Sequence, residues 1–124
     1  VHIMVGLPGE NKKDAIKTAK YLNNFDLAGI KIHSTYITKN TALEKLYLEG
    51  KYNPITLEEY KDSVIEILCN LNPKFIIHRI SGDAPKDELV APEWNVHKKL
   101  VLNGVENEMK TKGLYQGIFF QETN

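Results

Sequence analysis

Three stretches of this sequence put polar or glycine-rich residues where an aliphatic run stops: Gly6-Leu7-Pro8-Gly9-Glu10, Lys31-Ile32-His33-Ser34 and His78-Arg79-Ile80-Ser81-Gly82-Asp83. Imidazoles can bind a substrate or move a proton, and glycines let a ligand approach the backbone. In parallel α/β sheets, ligands sit outside the carboxyl ends of the strands. If the three runs are adjacent strands, these residues converge on one rim, and that convergence says more than any single match.

The opening loop has two readings. Gly6 and Gly9 can supply unusual backbone angles while Pro8 stiffens the turn and Glu10 favours the following helix N-terminus. Alternatively, the missing side chains let a ligand contact backbone. The loop is not a P-loop, since no Gly-Lys-Ser/Thr follows, and it lacks the three-glycine dinucleotide fingerprint. His33 and His78 could face each other across neighbouring strand ends, with Asp83 nearby. They lack ligand spacing, so no bound metal is expected. His2 and His97 read as strand-start and helix-surface residues. Ser34, Ser63 and Ser81 sit in no strained elbow that would expose a nucleophile.

These residues need elements to position them. Three Ile/Val-rich runs, "VHIMVG", "AGIKIHSTYI" and "KFIIHRI", read as strands covered on both faces. Between the first two, Ala15, Ile16, Ala19 and Leu22 fall at helical spacing. A second crossover holds two helices. One has Asn40 or Thr41 as N-cap and stops at Gly50. The other has Thr56 and Glu59 in a capping-box arrangement and ends before Pro73. After the third strand, a turn-rich segment leads to a last helix that buries Val101, Val105 and Met109 and ends at Gly113. The predicted order is β-α-β-α-α-β-α with three parallel strands, an α/β class that suits half of a (βα) barrel or a small three-layer sheet.

The chain has 124 residues, with Lys plus Arg and Asp plus Glu both at 16. It reads as one domain, 1–124, without a global field to attract nucleic acid or anionic membrane. The hydrophobic share of 42% suits a folded protein, not a disordered one. No apolar run approaches the ~20 residues of a membrane span. The single cysteine, Cys69, lies amid apolar neighbours and reads as a buried thiol. Cytoplasm is the expected compartment. Val1 starts inside a strand, so the chain reads as cut from something longer. It is therefore expected to dimerise through the open first-strand edge or inner face, or to fold "YQGIFFQETN" back over them.

The blocks "HIMVGLPGE", "GIKIHSTYITKNTALEKLYLEGKYNPITLEEY", "HRISGDAPKDELVAPEWN" and "LYQG" together resemble the C-terminal half of bacterial radical-SAM proteins of the YhcC-type "Fe-S oxidoreductase" group. The middle block also resembles the radical-SAM domain of the elongator-type tRNA acetyltransferase. The resemblance implies a partial (βα)₆ barrel fragment. It also implies S-adenosylmethionine and a [4Fe-4S] cluster in the full-length protein, cleaving the cofactor reductively to a 5′-deoxyadenosyl radical. Met4, Gly6, Leu7, Ile32 and His33 carry over to the adenosine side, Lys31 to the reaction cavity as a candidate catalytic residue, and His78, Arg79 and Asp83 to the substrate side. RNA is a candidate substrate of the full-length protein through the acetyltransferase likeness. The family's cysteine loop is absent, so the fragment alone cannot hold the cluster and is expected to be inactive, with the N-terminal half of the same chain as its partner. Asn11 stands where relatives usually carry Thr or Ser, which implies a weaker helix cap. The competing expectation is a self-standing α/β binding or interaction module without redox chemistry.

Overall fold

The computed structural model describes residues 1–81 and 85–121. In chain order the elements are β1 (His2–Val5), α1 (Lys12–Leu22), β2 (Gly29–Ser34), β3 (Ile37–Thr38), α2 (Ala42–Leu48), α3 (Leu57–Asn70), β4 (Ile76–Arg79), β5 (Leu89–Ala91), a 3₁₀ turn (Glu93–Val96) and α4 (Lys98–Lys112). The main sheet has the order β1-β2-β4, and both pairings are parallel. β1 and β2 align from His2 with Lys31 to Val5 with Ser34. β2 and β4 align Gly29 with Ile76 and Ile30 with Ile77, then slip so that Lys31 meets Arg79.

The helices start and stop as their residues dictate. Thr56 caps α3: the Glu59 N–H donates to the Thr56 hydroxyl, and the Thr56 N–H donates to the Glu59 carboxylate. Thr41 caps α2, so of the two candidates it is Thr41 and not Asn40 that takes the role. Asn11 makes a complete capping box with Asp14 on α1. The weaker cap implied by the family comparison is therefore not found, because the Asn11 side-chain oxygen accepts as a Ser or Thr hydroxyl would. Gly113 closes α4 in the left-handed region at φ 68°.

One face of the sheet is closed and the other is open. Ile3, Val5, Ile30 and Ile32 are buried against Ala15 and Ala19 of α1, Tyr60, Val64, Ile67 and Leu68 of α3, and Val101 and Val105 of α4, and Ser34 is buried at the end of β2. Their neighbours His2, Met4, Lys31, His33, Ile76 and His78 are exposed or half-exposed. This corrects the expectation of strands covered on both faces. The cause is visible in "HIMV" and "GIKIHS", where apolar core residues alternate with others at a period of two.

The second strand was also expected to run on through Ile37. It leaves the sheet after Ser34, and Ile37 instead pairs antiparallel with Ala91 in a small second sheet of β3 and β5. Ile37, Tyr52 and Ala91 form a separate buried cluster with Leu43, Leu46, Tyr47 and Val90 packed around it. This cap is tied to the main body by Tyr52, whose Oη donates to the Gly6 carbonyl at 2.7 Å. Within the main body, Trp94 Nε1 donates to the Ile55 carbonyl at 3.1 Å.

Of the tail expected to fold back, residues 115–121 do so, but onto the end of α3 and not the β1 edge, and residues 122–124 lie outside the described residues. Gly117 and Phe119 donate their N–H groups to the carbonyls of Leu68 and Cys69, satisfying acceptors left over at the end of α3. Gln116 Nε2 donates to the carbonyls of Asn72 and Phe75. Cys69 is buried, as its apolar neighbours required.

Candidate functional site

The carboxyl ends of β1 and β2 and the open face leading to them hold most of the expected residues. Gly6 lies just past β1 with φ 97°, and a Cβ there would come within 3.0 Å of the Ile55 side chain. The glycine is thus required by backbone angle and by the close passage of residue 55. Gly9, at φ 80°, has nothing within 4 Å of an added Cβ and serves the turn. The structural reading of the loop therefore accounts for both glycines. Beyond them a groove of about 660 Å³ opens at this end of the molecule, with Leu7, Glu10, Lys12, Tyr52, Asn53 and Asp62 among its walls. Burial pushes the Tyr52 hydroxyl up from its ordinary pKa, so it stays a donor to Gly6.

On the open face, Met4 is paired in register with His33, and His2 with Lys31. His33 and His78 do not meet. His33 Nε2 lies 3.0 Å from His2 Nδ1, with ring centroids 4.9 Å apart and planes 13° from parallel. Nitrogens this close share a hydrogen, so one ring donates and the other accepts. Desolvation holds the His33 imidazole below its ordinary pKa, with further lowering from His2, Arg79 and Lys31. His78 lies instead over Gly29, where its ring would collide with an added Cβ. Gly29 is small because a ring passes over it.

Ile32 separates from the group in which the family likeness placed it. It is wholly buried among the helices, since adjacent residues of a strand point to opposite faces. Only its backbone can belong to the open side. Arg79 lies across from Lys31, and Asp83 falls outside the described residues. Among the described residues no cluster of three or more His, Cys, Asp or Glu could hold a metal ion.

Sequence reasoning passed over three contributors. His2 was read as a strand-start residue, although the period of two puts it on the same face as Lys31. Tyr52 carried no local signal, because its partner Gly6 is 46 residues away. Asn95, buried in the 3₁₀ turn, accepts a hydrogen bond from the buried Ser34 hydroxyl at the end of β2. That contact, too, joins distant segments.

Residues 27–111 match the family described as the Radical_SAM C-terminal domain, which is more than half of the chain. The chain belongs to the radical-SAM C-terminal domain family. This domain is 38% identical over 120 residues to the uncharacterized protein YtqA of Bacillus subtilis, covering 97% of the chain and 37% of that protein. It is 36% identical over 93 residues to the protein YhcC of Escherichia coli K12, covering 75% of the chain and 30% of that protein. It is also 30% identical over 87 residues to Elongator complex protein 3 of Schizosaccharomyces pombe, covering 68% and 16%. Among solved structures, the archaeal Methanocaldococcus infernus Elp3 with an N-terminal deletion superposes with a TM-score of 0.77 at 22% identity, over 93% of the chain and 27% of that protein. That likeness gives the fold of the radical-SAM C-terminal domain. The chain spans about a third or less of the length of these relatives. No helix among the described residues is long and apolar enough to cross a membrane.

Proposed function

We propose that this chain forms the adenosine-side and substrate-side wall of a radical-SAM active site, with the open sheet face turned inward in a partial (βα) barrel. The observation that carries the reading is the two-faced sheet, in a chain that belongs to this family. Buried aliphatics back onto helices, while His2, Met4, Lys31 and His33 stand on the opposite side. A solvent-facing sheet surface of a self-standing module gives no reason to gather two hydrogen-bonded imidazoles beside a lysine.

The two cofactors of the family fare differently against these residues. A [4Fe-4S] cluster needs thiolates, and the chain's one cysteine is buried on α3, so nothing here fits it. The cluster belongs to the remainder of the full-length protein. S-adenosylmethionine suits the rim better. Met4 and Leu7 are apolar yet 42% and 38% exposed, as a surface for an adenine ring would be. Held there, the cofactor would supply radical chemistry for hydrogen abstraction from substrate, after reductive cleavage by an electron from the cluster in the remainder of the full-length protein. Lys31 and His33 would orient the substrate, with His33 neutral at pH 7 and able to accept a hydrogen bond. His78 and Arg79 extend the substrate side, and RNA is the candidate substrate class through the elongator likeness. The compartment consistent with this chemistry is the cytoplasm.

The test uses full-length protein reconstituted anaerobically. Met4→Asp and Leu7→Asp are expected to weaken S-adenosylmethionine binding at least about tenfold while iron content stays constant, since a carboxylate there desolvates against the ring. Unchanged cofactor binding in both variants would remove the adenosine-side assignment.

A further inference from the structure

Opposite charges on neighbouring strands stabilise a sheet, and like charges facing each other destabilise it. The open face of this sheet departs from that rule. Its strands, HIMV, GIKIHS and IIHR, contain no Asp or Glu, in a chain that has 16. Lys31 stands in register with His2 on β1 and with Arg79 on β4. His33 is hydrogen-bonded to His2 and not to a carboxylate. Every charged or titrating side chain on the three strands is therefore basic.

The imidazole pair shows what such a face lacks. With Nε2 of His33 3.0 Å from Nδ1 of His2, one hydrogen lies between the rings. The ring that donates it has a bare outer nitrogen, and the ring that accepts it keeps its own N–H outside. The neutral pair thus offers one outward donor. The singly protonated pair offers two, at His2 Nε2 and His33 Nδ1. Added charge is opposed here, by desolvation of His33 first and then by His2, Arg79 and Lys31. A metal cation meets the same opposition, and would also need the nitrogens that share the hydrogen. An anion relieves it. Oxyanions only accept hydrogen bonds, so one fits the Lys31 ammonium together with the donor that protonation adds.

We propose that Lys31 and the His2–His33 pair form an oxyanion site that binds a phosphate or carboxylate group of the substrate. Binding brings a proton with it. The pair takes one proton from solvent as the anion enters and returns it as the anion leaves. Arg79 engages another group within the chain and is left out of the site. The inference rests on the reading of the open face as the substrate wall, and narrows the substrate to one that carries an oxyanion.

The probe is inorganic sulfate, a dianion that does not itself titrate near neutral pH, so any proton taken up belongs to the protein. The imidazole Hε1 resonances of the chain are followed by NMR from about pH 5 to about pH 8, in sulfate and in chloride of equal ionic strength. His2→Gln and His33→Gln assign the two signals. Sulfate is expected to raise the apparent pKa of the pair saturably, by about half a pH unit or more. Exposed His97 is expected to stay where it is. Lys31→Gln acts in two directions, which a merely structural role would not produce. It raises the pKa in chloride by removing a repelling charge, and weakens sulfate binding at least about threefold. Lys31→Arg keeps the sulfate effect, and circular dichroism checks the fold of both variants. A shift no larger in sulfate than in chloride, equal at His97, or untouched by Lys31→Gln overturns the inference. So does displacement of sulfate by methionine, which would give the site to the carboxylate of S-adenosylmethionine. Any of these leaves the wall reading standing, since that reading fails separately, through unchanged cofactor binding in Met4→Asp and Leu7→Asp.

Discussion

Two faces of one three-stranded sheet differ in almost every physical respect, although they are built from alternate residues of the same strands. The helix-side set, Ile3, Val5, Ile30 and Ile32, is aliphatic and nearly or wholly inaccessible. The open-side set, His2, Met4, Lys31 and His33, mixes imidazole, thioether and ammonium groups, is exposed or half-exposed, and includes the His2–His33 hydrogen bond. Stability is thus concentrated on one side of the backbone, leaving the other to be chosen for chemistry. A one-residue slip in register would exchange the two sets, and so the pattern itself holds the register.

The largest effect that sharpens the contrast comes from paired truncations. Ile32→Ala leaves a cavity between β2 and the helices and is expected to cost about 2–5 kcal/mol in urea unfolding. His33→Ala, one residue on, is expected to cost under about 1 kcal/mol. Equal losses would show that the open face also bears on stability. A middle-sized effect is expected in the loop just past β1. Gly6→Ala must adopt φ 97° and meet Ile55 at 3.0 Å, so it is expected to destabilise by about 1–3 kcal/mol. A neutral result would mean that the loop can move away from residue 55.

The smallest effect is a pH dependence. Folding lowers the His33 pKa below the ordinary histidine value of 6.5, so the folded state binds fewer protons than the unfolded one near that pH. The contribution of His33 is therefore fully present above 6.5 and is lost as pH falls toward its folded value. Unfolding midpoints measured from about pH 7.5 down to about pH 5 are expected to fall less steeply for His33→Gln than for the natural chain. An identical slope would place the proton uptake elsewhere.

Much of this organisation was legible in the residues, and the losses have clear physical causes. The three parallel strands, the Thr56–Glu59 capping box, the Gly113 stop and the buried Cys69 follow from local signals within one helix or strand. The open face was missed because Ile, Val and Met runs look continuous until the period of two is counted through His2, Met4, Lys31 and His33. The β3–β5 pair was missed because two- and three-residue strands separated by about fifty residues leave no periodic trace. The rim assignments were partly legible. Met4, Lys31 and His33 share a face, Ile32 does not, and the His2–His33 bond depends on strand register.

The most direct measurement compares thiol labelling of Lys31→Cys in the 124-residue chain and in the full-length protein. Lys112→Cys, at the exposed end of α4, serves as the reference, and buried Cys69 as the unreactive background. If the open face lines an enclosed cavity, residue 31 labels readily in the chain and at least about tenfold more slowly in the full-length protein, and S-adenosylmethionine slows it further. Labelling of residue 31 at the same rate in both, with or without cofactor, would contradict an inward-facing wall.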